Sequence, residues 1–255
     1  MLVGRFAIES KRGSRVKDPY RGQDPRQLPA YDSFRVAHYL RVPERTIENW
    51  SFGYAYPTRQ GTRRMTEPLI RVADPAKHLF SFENLIELHV LAALRREHKV
   101  EMPKIRKAIR YLQDKFNSPR PLLERDMETD GTDVFVREFE SLINASLSGQ
   151  MAIDVVLRAH LKRIERDFRG VPVRLFPFTR PAENIKPDQL DNVPRFVAID
   201  PLVAYGRPVI VGTRVPTAEV FERFAAGEQP DDIAKDFGRT EEEILEAIRC
   251  EAQAA

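Results

Sequence analysis

DSFRVAHYLRVPERTIENWS, residues 32–51, is the stretch on which the reading of this 255-residue chain turns. Asp32 and Ser33 are residue types that cap helices, and Val36, Ala37 and Leu40 recur on one helical face. Arg41-Val42-Pro43 breaks that helix. Pro43 can open a second one, Glu44 to Trp50 or Ser51, with Ile47 and Trp50 three apart on its buried side. Two short helices joined by a tight turn are the helix-turn-helix pattern, in which the second helix enters the major groove and the first crosses the phosphate backbone. Arg45 then has the fork to reach guanine O6 and N7, and Asn49 the amide to pair with adenine. Glu48 shares their face, Thr46 is placed for a phosphate, and Arg35 on the first helix joins the set expected to contact DNA. The alternative is a packed helical hairpin whose charged face is merely solvated.

The surroundings favour nucleic acid. The chain totals 41 Lys and Arg against 38 Asp and Glu, a balance of only +3. Residues 1–72 carry 14 basic and 7 acidic side chains (+7), residues 73–182 carry +3, and residues 183–255 carry 8 and 15 (−7). Residues 1–30, rich in Arg, Gly and Pro, read as a basic flexible arm with Lys11, Arg12, Arg15, Lys17 and Arg21. Beyond the helices, Gly53, Pro57 and Gly61 punctuate a stretch holding Arg59, Arg63, Arg64 and Arg71. The apolar runs Leu69–Val72 and Leu79–Phe82 are expected to be the strands of a wing.

Further along, Leu85, Leu88, Leu91 and Ala92 mark a helix from Phe82, with Glu83 and Glu87 complementing its positive end. Ile105, Ala108, Ile109 and Leu112 mark another, to about Phe116. The prolines at 119 and 121 make an extended break. Residues 119–180 are expected to form a middle α+β lobe, with a hairpin turn at Thr129–Thr132, a strand at Asp133–Val136 and a turn at Ser148–Gln150. The stretch 153–164 is amphipathic, strand-like in its first half. Prolines 172, 177, 181 and 187 make Arg169–Asp191 linker-like, and the boundary is expected at 181–194. The last unit, 195–250, should end in three helices: Ala218–Ala226 capped by Thr217, Asp232–Phe237, and Glu241–Arg249 with a Thr240/Glu243 capping box. The fold class is therefore mainly α with small β elements.

Two family resemblances follow from particular residues. Ala37, Leu40, Val42, Pro43, Thr46, Ile47 and Trp50, with Gly53 and a later arginine, resemble the winged helix-turn-helix of MerR-type regulators over residues 30–82. Pro103 and Pro119 replace the long dimerising coiled coil of those proteins, and the effector-binding cysteines of their metal-sensing members are absent. Ile199-Asp200-Pro201, Gly206–Ile210, Gly212–Pro216, Gly227 and Asp232–Ala234 resemble the domain of unknown function 433. Together with the upstream helix-turn-helix, this is similar to VapB-type antitoxins. That resemblance implies operator DNA and a PIN-domain ribonuclease toxin as partners, repression of the protein's own operon, and a homodimer or higher oligomer. An arginine inserted into the acidic, Mg²⁺-holding site of such a nuclease would displace the metal, and Arg207 or Arg214 is the candidate toxin contact. The other reading of those arginines is that they tie the domain's own acidic helices together.

Other classes fare less well. No stretch approaches the roughly 20 apolar residues of a membrane span, and one cysteine, Cys250, makes a reducing cytoplasm the natural compartment. The five histidines, at 38, 78, 89, 98 and 160, lack zinc spacing, and Ser146–Gln150 is no nucleophile elbow. Asp126, Glu128, Asp130 and Asp133 lack the offsets of a calcium loop and read as a solvated turn. An enzyme and a cofactor are therefore not expected. A protein-binding adaptor, or a plain MerR-like regulator without a toxin, is the competing reading.

Overall fold

A computed structural model describes residues 19–57, 61–96, 102–123, 155–180 and 187–252. Helix α1 is Ser33–Leu40, opened by the Asp32 carboxylate, which accepts a hydrogen bond from the Arg35 N–H at 2.8 Å. It ends at Arg41, in the left-handed region (φ 54°), and Pro43 leads directly into α2, Glu44–Phe52. Val36, Ala37 and Leu40 of α1 face Ile47 and Trp50 of α2, all buried. The expected helix-turn-helix is present.

The wing is not where the apolar runs pointed. It is a hairpin of β1 (Ala55–Pro57) and β2 (Arg63–Met65), exposed along both strands. Leu69, Ile70 and Val72 are instead buried anchors of an irregular segment, and Phe80 makes a single bridge to Tyr31. A wing stands in solvent and is built of polar and small residues, so a search for apolar runs finds the core side of the segment rather than the hairpin.

Helix α3 (Phe82–Arg96) is buried on every side from Phe82 to Ala93, its Glu83, Asn84, Glu87 and His89 included, and lies at the centre of the larger core, whereas α4 (Met102–Phe116) buries the single stripe Ile105, Ala108, Ile109 and Leu112. The hairpin turn at 129–132, the strand at 133–136, the turn at 148–150 and the acidic group at 126–133 lie outside the described residues. A helix, α5, runs through 155–161 where a strand-like start was expected, burying Val156, Leu157 and Leu161. Next come β3 (Ile164–Arg166) and β4 (Pro172–Leu175), antiparallel and joined by a turn in which the Asp167 carboxylate accepts from the N–H groups of Arg169 and Val171.

Arg169–Leu175 is thus a hairpin and not a linker. The expected boundary at 181–194 also differs over its described part. Pro187–Asn192 forms a 3-10 turn, and Leu190 and Val193 are buried in the same core as α3. A buried cation explains the attachment. The Arg163 guanidinium donates to the carbonyl oxygens of Phe176 (2.6 Å), Pro177 (3.1 Å), Val193 (3.2 Å) and Pro194 (3.0 Å), and lies over the Phe178 ring. Burial pushes its pKa down to about 9.

The C-terminal segment adds β5 (Val197–Ile199) and β6 (Pro208–Ile210), which continue the sheet in the order β3-β4-β5-β6, every pair antiparallel. The three expected helices follow as α6 (Thr217–Ala225), α7 (Pro230–Phe237) and α8 (Glu241–Glu251). They enclose a second core of Ile210, Val220, Ile233, Ala234, Ile244, Ala247 and Ile248. The Thr240/Glu243 capping box forms as expected, with 2.8 Å from the Thr240 N–H to the Glu243 carboxylate. Thr217 is not the cap of α6. Pro216 holds that place, and the Thr217 hydroxyl is buried between the Pro208 carbonyl and the Glu251 carboxylate.

The C-terminal unit is strapped along α1. At one end the Tyr31 hydroxyl donates to the Gly206 carbonyl at 2.9 Å. At the other, the Arg41 guanidinium, in the turn of the helix-turn-helix, donates to the carbonyls of Cys250 (2.8 Å) and Ala252 (2.7 Å), covering the negative end of α8.

Candidate nucleic-acid interface

With Ile47 and Trp50 turned inward, the 3.6-residue period of α2 places Arg45, Glu48 and Asn49 on its outer side, Arg45 and Asn49 one turn apart. Arg45 is exposed and Thr46, Glu48 and Asn49 are partly so. The first turns of the two helices lie side by side, because the Ser33 hydroxyl donates to the Glu44 carboxylate at 2.7 Å. Arg35 is exposed on α1, with its guanidinium 3.8 Å from Asp32. Arg45, Arg63 and Arg64 are exposed and make no hydrogen bond or ion pair with their side chains among the described residues. Cations left free in this way can take phosphate or base oxygens without first breaking an internal pair. Arg59 and the arm cations Lys11, Arg12, Arg15 and Lys17 lie outside the described residues.

The wing register divides these groups by face. Tyr56 pairs with Arg64, and strand alternation puts Tyr54, Tyr56 and Arg64 on one side and Arg63 and Met65 on the other. The Tyr54 and Tyr56 rings are 6.3 Å apart and both are substantially exposed, as is Met65. These three escaped the sequence reading, although the alternation Tyr54-Ala55-Tyr56 is a strand signal in its own right. Also unforeseen was the hold on the wing's return path: Arg106 and Arg110 of α4 grip the backbone and carboxylate of Glu67.

Gly53 fixes the wing to α2. Its backbone (φ 77°, ψ 179°) lies where side-chain-bearing residues are strained, and a Cβ there would sit 2.1 Å from the Thr66 carbonyl oxygen. The Tyr54 N–H donates to the Thr66 hydroxyl at 2.9 Å, and the Leu69 N–H to the Trp50 carbonyl at 2.7 Å. Gly53→Ala is expected to cost about 1–3 kcal/mol and to swing the wing away from α2. A thermal melt checks it, and a midpoint equal to that of the parent would show the turn to be unconstrained.

Arg207 and Arg214 are both exposed but flank opposite ends of β6. The Arg207 Nε donates to the Ala204 carbonyl at 3.3 Å. Among the described residues neither arginine ties the acidic helices together. Arg223 does so, reaching from α6 to Asp236 of α7 and to Glu228 between them, while Lys235 pairs with Asp231 and Asp232 and Arg249 with Glu246 inside their own helices, and Arg180 reaches Glu246 from outside. Among the described residues no group of three or more His, Cys, Asp or Glu side chains comes together to hold a metal ion, and no helix is long and apolar enough to cross a membrane.

Residues 29–109, which span α1, α2, the wing, α3 and the start of α4, match the family described as "Putative DNA-binding HTH domain". Residues 197–249, from β5 into α8, match "Protein of unknown function (DUF433)". The chain thus joins a helix-turn-helix similar to the first family to a C-terminal segment similar to the second. The helix-turn-helix and the resemblance to the domain of unknown function 433 are both found by these matches.

Two curated relatives, both from Mycobacterium tuberculosis (strain ATCC 25618 / H37Rv), match nearly the full length. One is named "Putative antitoxin VapB45" and is 27% identical over 236 residues, covering 87% of this chain and 93% of the relative. The other, "Uncharacterized protein Rv2308", is 27% identical over 223 residues, covering 84% and 86%. The crystal structure of Rv2018 from Mycobacterium tuberculosis shares the fold, with a TM-score of 0.59 at 22% identity over 87% of this chain and 98% of that one.

Proposed function

We propose that this protein is a DNA-binding antitoxin: it reads an operator with α2 and the wing, represses its own operon, and neutralises a PIN-domain ribonuclease toxin, with no catalytic activity of its own. The observation that carries the DNA half is the set of exposed, unpaired arginines on one helix and one hairpin, Arg45, Arg63 and Arg64. In this assignment Arg45 and Asn49 contact base edges, Glu48 contributes to base selection, and Arg35, Thr46, Arg59, Arg63 and Arg64 contact phosphates. The wing following the recognition helix supports a MerR-like docking. The toxin half rests on the near full-length similarity to a protein named as an antitoxin. Arg214, exposed and unpaired among the described residues, is the assigned toxin contact in the acidic C-terminal unit. A homodimer acting in the cytoplasm fits a two-fold operator.

A labelled duplex from upstream of the gene tests the DNA half. Its retention is expected to fall steeply as salt rises, because bound arginines release counterions from the duplex. Retention that is absent, or flat in salt, would leave the adaptor reading. For the toxin half, the product of the adjacent reading frame is co-expressed with this chain and assayed for RNA cleavage. A complex that is silent until the antitoxin is removed is the expected outcome, and an adjacent product that neither binds nor cleaves would leave a plain MerR-like regulator.

A further inference from the structure

We propose that the DNA-facing surface extends beyond the helix-turn-helix: the loop between β5 and β6, in the DUF433 segment, presents Arg207 to a backbone phosphate of the same duplex. The proposal rests on the DNA-binding reading of α2 and the wing. Its first support is position. Tyr31 stands immediately before the Asp32 cap of α1, and its buried hydroxyl donates to the carbonyl of Gly206, the residue before Arg207. Burial pushes the Tyr31 phenol far above its ordinary pKa, so it stays a donor at any working pH. The first turn of α1 is in turn hydrogen-bonded to the first turn of α2, where Arg45 lies. Arg207 therefore flanks the end of the helix pair from which the reading helix points its leading residues.

The second support is the loop's construction. Tyr20 donates to the Pro201 carbonyl at 2.8 Å, so both ends of the loop are held against residues that precede α1. Ala204, Tyr205 and Gly206 take left-handed φ values of 48°, 55° and 76° in succession, an arrangement that non-glycine residues adopt only when their surroundings compel it. A Cβ at Gly206 would meet the Tyr31 hydroxyl at 2.2 Å, so the close approach needs glycine. What this loop displays is an exposed arginine beside Tyr205, which is 72% exposed and whose phenol is a further phosphate donor. Among the described residues no carboxylate pairs with Arg207: Asp200, at the loop's start, is taken by Arg174 at 3.3 Å and by the Leu202 N–H at 2.8 Å. A nucleic-acid phosphate is favoured over an acidic protein because the hydrogen bonds from Tyr20 and Tyr31 hold the loop to the segment that leads into α1. Arg214 has the same chemistry but sits in the turn beyond the far end of β6, closed by the Thr213 N–H on the Ile210 carbonyl.

The experiment needs no operator, since a phosphate contact is made on any sequence. Full-length protein is titrated into a fluorescein-labelled random duplex of about 30 base pairs, and affinity is followed by anisotropy across about 50 to 300 mM salt. Arg207→Ala is expected to lower the slope of log affinity against log salt by about one and to weaken binding roughly fivefold near 0.1 M salt. Arg207→Lys should restore both, because a point charge suffices for a phosphate, and Arg214→Ala should match the parent. If the parent binds and Arg207→Ala binds with the same slope and affinity, Arg207 contacts no phosphate and the proposal is overturned in favour of a protein contact. Equal losses in Arg207→Ala and Arg214→Ala would also overturn it, by showing a general charge effect. No binding by the parent would overturn the DNA-binding reading itself, and the proposal with it.

Discussion

Replacing Arg45 and Asn49 together by alanine is expected to abolish discrimination between operator and random DNA while leaving the protein folded. Each bidentate contact to a base edge contributes about 1–3 kcal/mol of discrimination, so losing two corresponds to roughly thirtyfold to twenty-thousandfold in relative affinity. Neither side chain packs in the core of α1 and α2, which is made by Val36, Ala37, Leu40, Ile47 and Trp50. Stability should therefore change by less than about 0.5 kcal/mol, and a melt of the double variant separates loss of reading from loss of fold. Random-sequence binding should persist through Arg63 and Arg64, whose replacement weakens all sequences alike. Competition of labelled operator against random duplex is the measurement. An unchanged ratio in a folded double variant would remove α2 from the reading role.

The parts of this fold that were legible in the sequence are those whose signals are local. The Asp32 cap, the break at Arg41–Pro43 and the Thr240/Glu243 box each lie within a few residues of the element they define, and the structure has all three. What was missed depends on partners distant in the chain. The four-stranded sheet joins β4 to β5 through one register pair, Leu175 with Ile199, and nothing local to either strand announces it. Prolines at 172, 177 and 187 made the preceding stretch look like a linker. The Arg163 cation that holds it down donates to carbonyl groups, which carry no sequence signature. The wing was displaced in the reading because its polar strands resemble loop. Of the candidate site, the α2 face followed from helical period alone. The nearness of Arg207 to α1 depends on a hydrogen bond spanning 175 positions, from Tyr31 to Gly206, and could come only from the structure.

Glu83 and Glu87 make the same point and set up the largest expected effect on stability. Read as complementing the positive end of α3, they are in addition buried, and Arg120, from the proline-flanked stretch after α4, closes on both. Its guanidinium meets the Glu87 carboxylate through two hydrogen bonds, 3.0 Å from Nε and 2.7 Å from Nη2, and reaches Glu83 with Nη1. Asn84 donates to Glu87 at 3.1 Å and Gln27 to Glu83 at 3.2 Å. Arg120→Ala would leave two carboxylates buried without a cation and is expected to cost about 3–5 kcal/mol. Arg120→Lys should recover only part of this, since an ammonium cannot make the bidentate contact. Burial already holds the Glu87 carboxyl above its ordinary pKa, with Arg120 opposing the shift. Removing Arg120 raises it further. A carboxyl whose folded pKa lies above the unfolded value disfavours the fold as pH rises through that range, so the deficit of Arg120→Ala should be largest near neutrality. It should shrink as pH falls toward the ordinary carboxyl range, where protonated Glu87 needs no cation. Urea denaturation of parent and variant at neutral and mildly acidic pH reads both effects. A deficit under about 1 kcal/mol at neutrality would mean that water replaces the guanidinium and that the site is not sealed, while a deficit that grows on acidification would reverse the sign argued for Glu87.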